Sequence, residues 1–252
     1  MKTKSIITSV LIIVMVIFTV VTIKIVITNK LNEELIQAAN SGDLQKVQQL
    51  VDKGVSVNTC KDRRGMSVLM KAAKNHHIDI VKFLIENGAD VNAVNSGGCT
   101  ALLFASEAGD FDIVKFLVES GADVNVAIAL DYTALMYASG YGYFDIVKYL
   151  VENGADVNAV NALGCTPLIF ASAAGNFDVV KFLVENDADV NATNCIGSTA
   201  LKDASKKGYS DIVKYLIENG ADTSNEGNVD IEKLPTESGV DATIENRKGR
   251  GV

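Results

Sequence analysis

A five-residue string that returns at a fixed spacing constrains the fold of this chain more than any other feature. The string Gly-Ala-Asp-Val-Asn begins at Gly88, Gly121 and Gly154, so each copy starts 33 residues after the previous one. A hydroxyl residue that stands two positions before a leucine keeps the same spacing. Its copies are Ser67, Thr100, Thr133, Thr166 and Thr199. Two independent patterns with one period are typical of a repeat protein, in which each unit packs mainly against its neighbours.

Each unit has the pattern of two short helices. In one of them, Thr100 precedes an apolar helix that Gly109 ends, and the second helix covers 112–119 before Gly121. Threonine caps a helix start with its hydroxyl, and glycine readily adopts the left-handed conformation that follows a helix end. Helices this short are unstable alone in water, so we expect the units to be stable only when stacked.

These motifs resemble the ankyrin repeat, and the resemblance covers about residues 31–225. One alanine in the first helix of each unit supports it: Ala72, Ala105, Ala138, Ala171 and Ala204. The family's Thr-Pro-Leu-His signature is only partly met, since Thr166 alone is followed by proline and no copy has the histidine. The resemblance implies an all-α ankyrin-repeat solenoid of helix-turn-helix units with hairpin-like loops. The apolar N-terminal run predicts a transmembrane helix before it.

Six units are predicted: 31–64, 65–97, 98–130, 131–163, 164–196 and 197–225. The residue before the alanine is aromatic in the central units and polar at the ends, where it is Gln37, Lys71 or Asp203. A polar outer face is what a terminal repeat needs, so we expect the array to begin and end within this chain. Residues 226–252 are rich in polar residues and are predicted to be a disordered polar tail.

The N-terminal residues 1–30 are predicted to form a signal anchor that crosses the membrane through residues 5–28. No charged side chain lies between Ser5 and Ile23, and the run exceeds the roughly 20 residues that a spanning helix requires. A cleaved signal peptide is the alternative, but it would have a shorter apolar core and a small-residue cleavage site. The sequence favours the uncleaved anchor.

The lysines near the two ends of this segment are balanced, with Lys2 and Lys4 before it and Lys24 and Lys30 at its end. The N-terminal amine tips the balance towards a cytoplasmic N-terminus. This charge distribution predicts a single-pass membrane protein whose repeat domain is extracytoplasmic.

Charge and residue usage argue against several classes of function. After residue 30 the chain has 23 − 4 = 19 basic residues against 31 acidic ones, so its net charge of 19 − 31 = −12 repels nucleic acid. The cysteines lack zinc-ligand spacing, and His76 occupies a glycine position of the repeat, which favours a structural role. We therefore expect no enzyme activity, no cofactor and no metal. Free thiols are expected, although Cys165 and Cys195 could pair in an exported protein.

The resemblance implies that a protein partner binds the residues that flank the loop turns and end the first helices. The candidates are Arg63, Arg64, Met66, Lys74, Leu130, Tyr132, Tyr141, Leu163, Ile196, Lys206 and Lys207. They form an apolar centre with two tyrosines between two basic ends. The loop 126–131 departs most from its siblings, because Ile128 replaces an asparagine.

The main functional hypothesis is a membrane-anchored ankyrin-repeat scaffold that binds an unidentified protein through its concave face without catalysis. Its repeat domain is expected to be monomeric. A second hypothesis is a regulatory or protective subunit of a separately encoded enzyme, exported by a cleaved signal peptide. A third is a tether that faces the cytoplasm and differs from the first only in orientation.

Overall fold

The computed structural model describes residues 2–127 and 129–224. The regular secondary structure of these residues is helical. Ile128 and the predicted tail, 226–252, lie outside them. The α-helices are α1 Lys2–Ser41, α2 Leu44–Asp52, α3 Val68–Lys74, α4 Ile78–Glu86, α5 Ala101–Ala108, α6 Phe111–Glu119, α7 Ala134–Tyr141, α8 Phe144–Glu152, α9 Pro167–Ala174, α10 Phe177–Glu185, α11 Ala200–Lys207 and α12 Ser210–Glu218. A 3-10 helix covers Ala129–Asp131, and one isolated bridge joins Lys61 to Ser67. The predicted all-α fold is confirmed.

The helices form two layers. The inner helices are the end of α1 followed by α3, α5, α7, α9 and α11, and each packs against the next in this order. The outer helices are α2, α4, α6, α8, α10 and α12, and each packs against its inner partner and the neighbouring outer helices. Five loops that precede the inner helices are called the first to fifth fingers: 61–66, 94–99, 127–132, 160–165 and 193–198.

The helix boundaries follow the predicted capping chemistry. The Thr100 hydroxyl accepts the N–H of Leu103 at 3.3 Å, and Gly109 ends α5 with φ 76°. His76 holds the same left-handed conformation with φ 64°, as its place at a glycine position predicts.

One hydrophobic core runs through the whole stack. Inner helices meet through the alanines that the sequence singled out, and Ala105, Ala138 and Ala171 are fully buried. Their small side chains let successive inner helices approach closely. Each outer helix adds branched residues from its apolar face, such as Ile113 and Leu117 of α6. The core therefore grows unit by unit.

A ladder of asparagines joins each unit to the next. Asn92 donates its Nδ2–H to the carbonyl of Gly121 at 3.0 Å, and its Oδ1 accepts the N–H of Asp123 at 2.9 Å. The same pair of bonds to the following unit is made by Asn58, Asn125, Asn158 and Asn191. Each of these asparagines is the last residue of the repeated five-residue string. The repeated string therefore includes a residue whose role is to bond one unit to the next.

Helix α1 runs from Lys2 to Ser41 without a break, across the predicted boundary at residue 30. Its end is the first inner helix, with Leu35 and Ala39 fully buried in the array. The apolar side chains of 11–27 contact nothing in the array and are exposed. By length and composition, α1 is apolar enough to cross a membrane.

The third finger differs from the others in its backbone. In the fourth finger, Oδ1 of Asn161 accepts the N–H groups of Leu163 and Cys165 and closes the turn. Ile128 stands at that position in the third finger, where an aliphatic side chain cannot accept a hydrogen bond. Leu130 and Asp131 both adopt left-handed conformations, with φ 67° and 58°. Residues with a Cβ atom are strained in this region, so the third finger stores strain.

The asparagine ladder predicts a position-dependent loss of stability. Asn125→Ala removes two bonds to the next unit, so we expect the free energy of unfolding to fall by roughly 1–3 kcal/mol. Denaturant unfolding followed by circular dichroism measures it. Asn153→Ala is the matched control, because the side chain of Asn153 donates to the Tyr149 carbonyl of its own unit at 2.7 Å and to no carbonyl of the next unit among the described residues. Equal losses in the two variants would contradict the role of the ladder between units.

The strain in the third finger predicts a stabilising substitution. Asp131→Gly should raise the free energy of unfolding by about 1 kcal/mol, because glycine adopts positive φ without a steric penalty. The reverse change in the fifth finger, Gly197→Asp, should lower it by a similar amount, since Gly197 has φ 70° and open space around it. Denaturant unfolding of both variants tests this, and a destabilised Asp131→Gly protein would show that the aspartate makes a favourable contact.

Candidate protein-binding face

Three aromatic rings meet on the inner-helix side of the fourth and fifth units. The ring of Tyr132, at the end of the third finger, lies 5.6 Å from the rings of both Tyr137 and Phe170, centroid to centroid. Tyr137 and Phe170 occupy the same position in α7 and α9, so the stack itself places them side by side. These three residues are called the aromatic cluster. Burial, followed by the nearby Glu107 carboxylate, raises the pKa of Tyr137, which keeps its hydroxyl protonated.

Tyr141 extends the aromatic surface along α7. Its side chain is exposed, and its ring stacks on Tyr143 at 5.7 Å. The position at which α5 has Glu107 is occupied by Gly140 in α7 and by Ala173 in α9, so no charged side chain stands there in the fourth and fifth units.

A basic hollow lies at the N-terminal end of the same face. Its lining includes Arg63, Arg64 and Lys74. Lys71 in the same hollow pairs with Asp62 at 2.8 Å. Although burial opposes ionisation of Asp62, hydrogen bonds from Lys71 and from backbone N–H groups hold its carboxyl pKa below the ordinary value.

The positive charges of the hollow differ in their partners. The Nζ atom of Lys74 lies 5.3 Å from the centre of the Phe104 ring, in a cation–π arrangement. Arg63 and Arg64 are exposed and have no ion pair among the described residues. They therefore supply the unpaired charge at this end.

The other basic end is formed by Lys206 and Lys207. Both are exposed in the last turn of α11, where lysines interact favourably with the helix dipole. The hollow belongs to the first and second units and these two lysines to the last, so the aromatic cluster of the fourth and fifth units lies between them along the stack.

Four predicted site residues lie away from this arrangement. Met66 is only 6% exposed and packs in the core, so it offers a partner little surface. Leu130, Leu163 and Ile196 are 62%, 47% and 81% exposed at the tips of the third to fifth fingers. They are called the fingertip row. The Leu130 carbonyl accepts the N–H of Ala162, and the Leu163 carbonyl accepts that of Cys195, so backbone bonds join these fingers.

The sequence analysis did not select Tyr137 and Phe170 as binding residues, because their position identified them as part of the stack. A signal was available, since this position changes from aromatic in the centre to polar at both ends of the array. Only the structure shows that the same rings contact Tyr132.

The two histidines make structural contacts with different neighbours. His76 Nδ1 lies 2.9 Å from Oδ2 of Asp110, the residue that caps α6. His77 Nε2 lies 3.2 Å from the carbonyl of Asn40 in α1. The pair therefore connects the second unit to both of its neighbours.

The four cysteines, all among the described residues, are free thiols. Cys60 is buried, and burial raises its pKa to about 11, so its thiol stays protonated near neutral pH. Cys195 is exposed. Among the residues that the structure describes, no group of three or more His, Cys, Asp or Glu side chains could hold a metal ion.

Comparison with known proteins agrees with this architecture. A family model described as ankyrin repeats (3 copies) matches residues 35–128 and 135–226. The chain is 36% identical over 72 residues to the 2-5A-dependent ribonuclease of Mus musculus, which covers 29% of this chain and 10% of that protein. It is 38% identical over 66 residues to ankyrin repeat domain-containing protein 40 of Homo sapiens, which covers 26% of this chain and 18% of that protein. The chain thus spans less than a fifth of these relatives, and the similarity carries none of their whole-protein activities to it.

Proposed function

Because the chain belongs to the ankyrin-repeat family, we propose that it is a membrane-anchored scaffold that binds another protein through its concave face and catalyses no reaction. Ankyrin repeats are interaction modules, and stacked repeats present an extended surface made of fingers and inner helices. The observation that carries the proposal is the aromatic cluster, which lies on this surface between two basic ends.

The aromatic cluster and Tyr141 are the proposed anchors of the interface. Aromatic side chains bury a large area for little loss of rotamer freedom, and interface hot spots are enriched in tyrosine. Tyr132 is half-buried among its neighbours, so it is already ordered before a partner binds. A pre-ordered ring loses less entropy on binding than a free one does.

The basic ends define the chemistry of the proposed partner. Arg63, Arg64 and Lys74 lie at one end, and Lys206 and Lys207 at the other, on a chain that is otherwise acidic. Charges at the rim of an interface mainly accelerate encounter and select complementary partners. The proposed partner is therefore a protein segment with an apolar centre and acidic ends.

The membrane anchor is the second part of the proposal. Its support is that residues 11–27 of α1, apart from two threonines and Lys24, are apolar, and that this helical stretch is exposed, which would be unfavourable in water. We propose a single-pass topology in which the N-terminus is cytoplasmic and the repeats are extracytoplasmic, from the lysine balance given above. A processed N-terminus near residue 30 in the native protein would instead establish a cleaved signal peptide.

The binding proposal predicts distinct effects for aromatic and basic residues. With the partner identified by co-purification with the full-length chain, Tyr132→Ala should weaken binding by roughly 1–4 kcal/mol at every salt concentration. Lys206→Ala combined with Lys207→Ala should weaken it only at low salt, because salt screens exposed charges. Isothermal titration calorimetry at two salt concentrations measures both effects.

The control for this experiment is Tyr149→Ala. Tyr149 belongs to the outer helix α8, where its ring packs edge-on against Phe111 at 5.7 Å. The control therefore makes the same tyrosine-to-alanine change at a residue that lies away from the proposed face. Unchanged affinity in Tyr132→Ala, or an equal loss in Tyr149→Ala, would contradict the assignment. An assay of the partner's own activity with and without the repeats distinguishes a scaffold from a regulatory subunit.

A further inference from the structure

The first finger lies close to the apolar part of α1. The Sγ–H of Cys60, at the base of this finger, donates to Oδ1 of Asn32 on α1 at 3.1 Å. Asn32 comes four residues after Thr28, where the proposed membrane segment ends, and an α-helix rises about 1.5 Å per residue. The base of the first finger is therefore only about 6 Å along the helix axis from the end of the membrane segment.

All inner helices run in the same direction as α1. The end of α1 and the end of α3 lie together, since Nδ2 of Asn75 donates to Oδ1 of Asn40 at 3.4 Å. Eight residues earlier in α1, Asn32 accepts a hydrogen bond from Cys60, which precedes the first finger and α3. Because every later unit repeats this step, the N-terminal ends of all inner helices, and the fingers that precede them, lie on the side of the membrane segment.

Helix α1 has no built-in hinge between the membrane segment and the array. Kinks in helices arise mainly at proline or at glycine and serine pairs. The α1 sequence contains neither proline nor glycine, and its residues are helical throughout Lys2–Ser41. An anchor in the bilayer would therefore hold the finger side of the array close to the membrane surface.

The fingers have the composition of a surface that meets lipid. Exposed large aliphatic side chains of the array gather there: the fingertip row, together with Val94 and Val160. Of the 31 acidic residues in the chain, only Asp62 and Asp131 belong to the fingers, and Asp62 is paired with Lys71. The first finger also has Lys61, an exposed basic residue that takes no part in the proposed protein-binding face. The finger tips therefore carry little of the chain's negative charge. The repeat's own aspartates come before the fingers, and one of them, Asp90, lines a hollow together with Lys61 and Val94.

From these observations we propose that the fingertip row contacts the headgroup region of the bilayer that holds α1, so that the array lies along the membrane surface. This inference rests on the proposed membrane anchor. Apolar side chains gain free energy when they enter the boundary between headgroups and acyl chains, and nearby basic residues add attraction to anionic lipid. The aromatic cluster, the basic hollow and the lysines of α11 keep their place in the protein-binding face, while the fingertip row and Lys61 are assigned to lipid.

Tryptophan fluorescence can test this contact without background, because the chain contains no tryptophan. The full-length protein is placed in vesicles of phosphatidylcholine and phosphatidylglycerol, prepared without bromine or with bromine atoms on the acyl chains both near the headgroup and near the chain ends. Three single-tryptophan variants are compared: Phe18→Trp in the membrane segment, Ile196→Trp in the fingertip row, and Lys207→Trp. The last is the matched control, because Ile196 lies four residues before the start of α11, whereas Lys207 is the last residue of that helix.

We expect brominated lipid to quench Phe18→Trp and Ile196→Trp but not Lys207→Trp, and the emission of Ile196→Trp to lie at shorter wavelength than that of Lys207→Trp. Leu163→Trp should behave like Ile196→Trp, so the result does not depend on one variant's folding. If Phe18→Trp is quenched while both fingertip variants are not, the anchor stands and the lipid contact is wrong. If Phe18→Trp is not quenched, the anchor itself is wrong and the lipid contact with it. Fingertip tryptophans that become protected only when a protein partner is added would assign the row to that partner and overturn the proposal.

Discussion

Contact between one unit and the next is the interaction on which the rest of the structure depends. Each inner helix is seven or eight residues long in α3 to α11, too short to persist alone in water. Stacking buries the alanine faces of neighbouring inner helices, and the asparagine ladder bonds each loop to the following one. Because both contacts repeat, they build a long open surface whose individual side chains are free to vary.

The sequence predicted those features that depend on residues close together in the chain, such as the helix ends and the length of the unit. Thr100 and Gly109 mark the ends of α5 by their own backbone preferences, and the period reports the unit length directly. The asparagine bridges were not predicted, because their partners lie in the next unit and only the stacked backbone brings them together. The burial of Met66 and the contact of Tyr132 with Phe170 depend on the same stacking. The boundary predicted at residue 30 follows a change in composition, whereas the helix continues through it.

Departures from the repeat are what make one array differ from another. In this chain the main departures are the aromatic cluster and the strained third finger, near the middle of the stack, and the basic residues at its two ends. The third finger combines two departures, since it lacks the asparagine that closes its siblings and has Asp131 where they have glycine. Its strain is tolerated because the flanking units hold both of its ends, and it brings Tyr132 onto the neighbouring inner helices.

Helix α1 connects the two halves of the proposed function, because the same helix is both the membrane segment and the first inner helix. The central claim is that this continuity sets the position of the array on the membrane. Hydrogen exchange of the backbone amides in residues 27–34, measured on the full-length protein in vesicles, tests it most directly. An unbroken helix predicts slow exchange throughout this stretch, at rates like those of the buried end of α1. Fast exchange confined to these residues would reveal a hinge and contradict the claim.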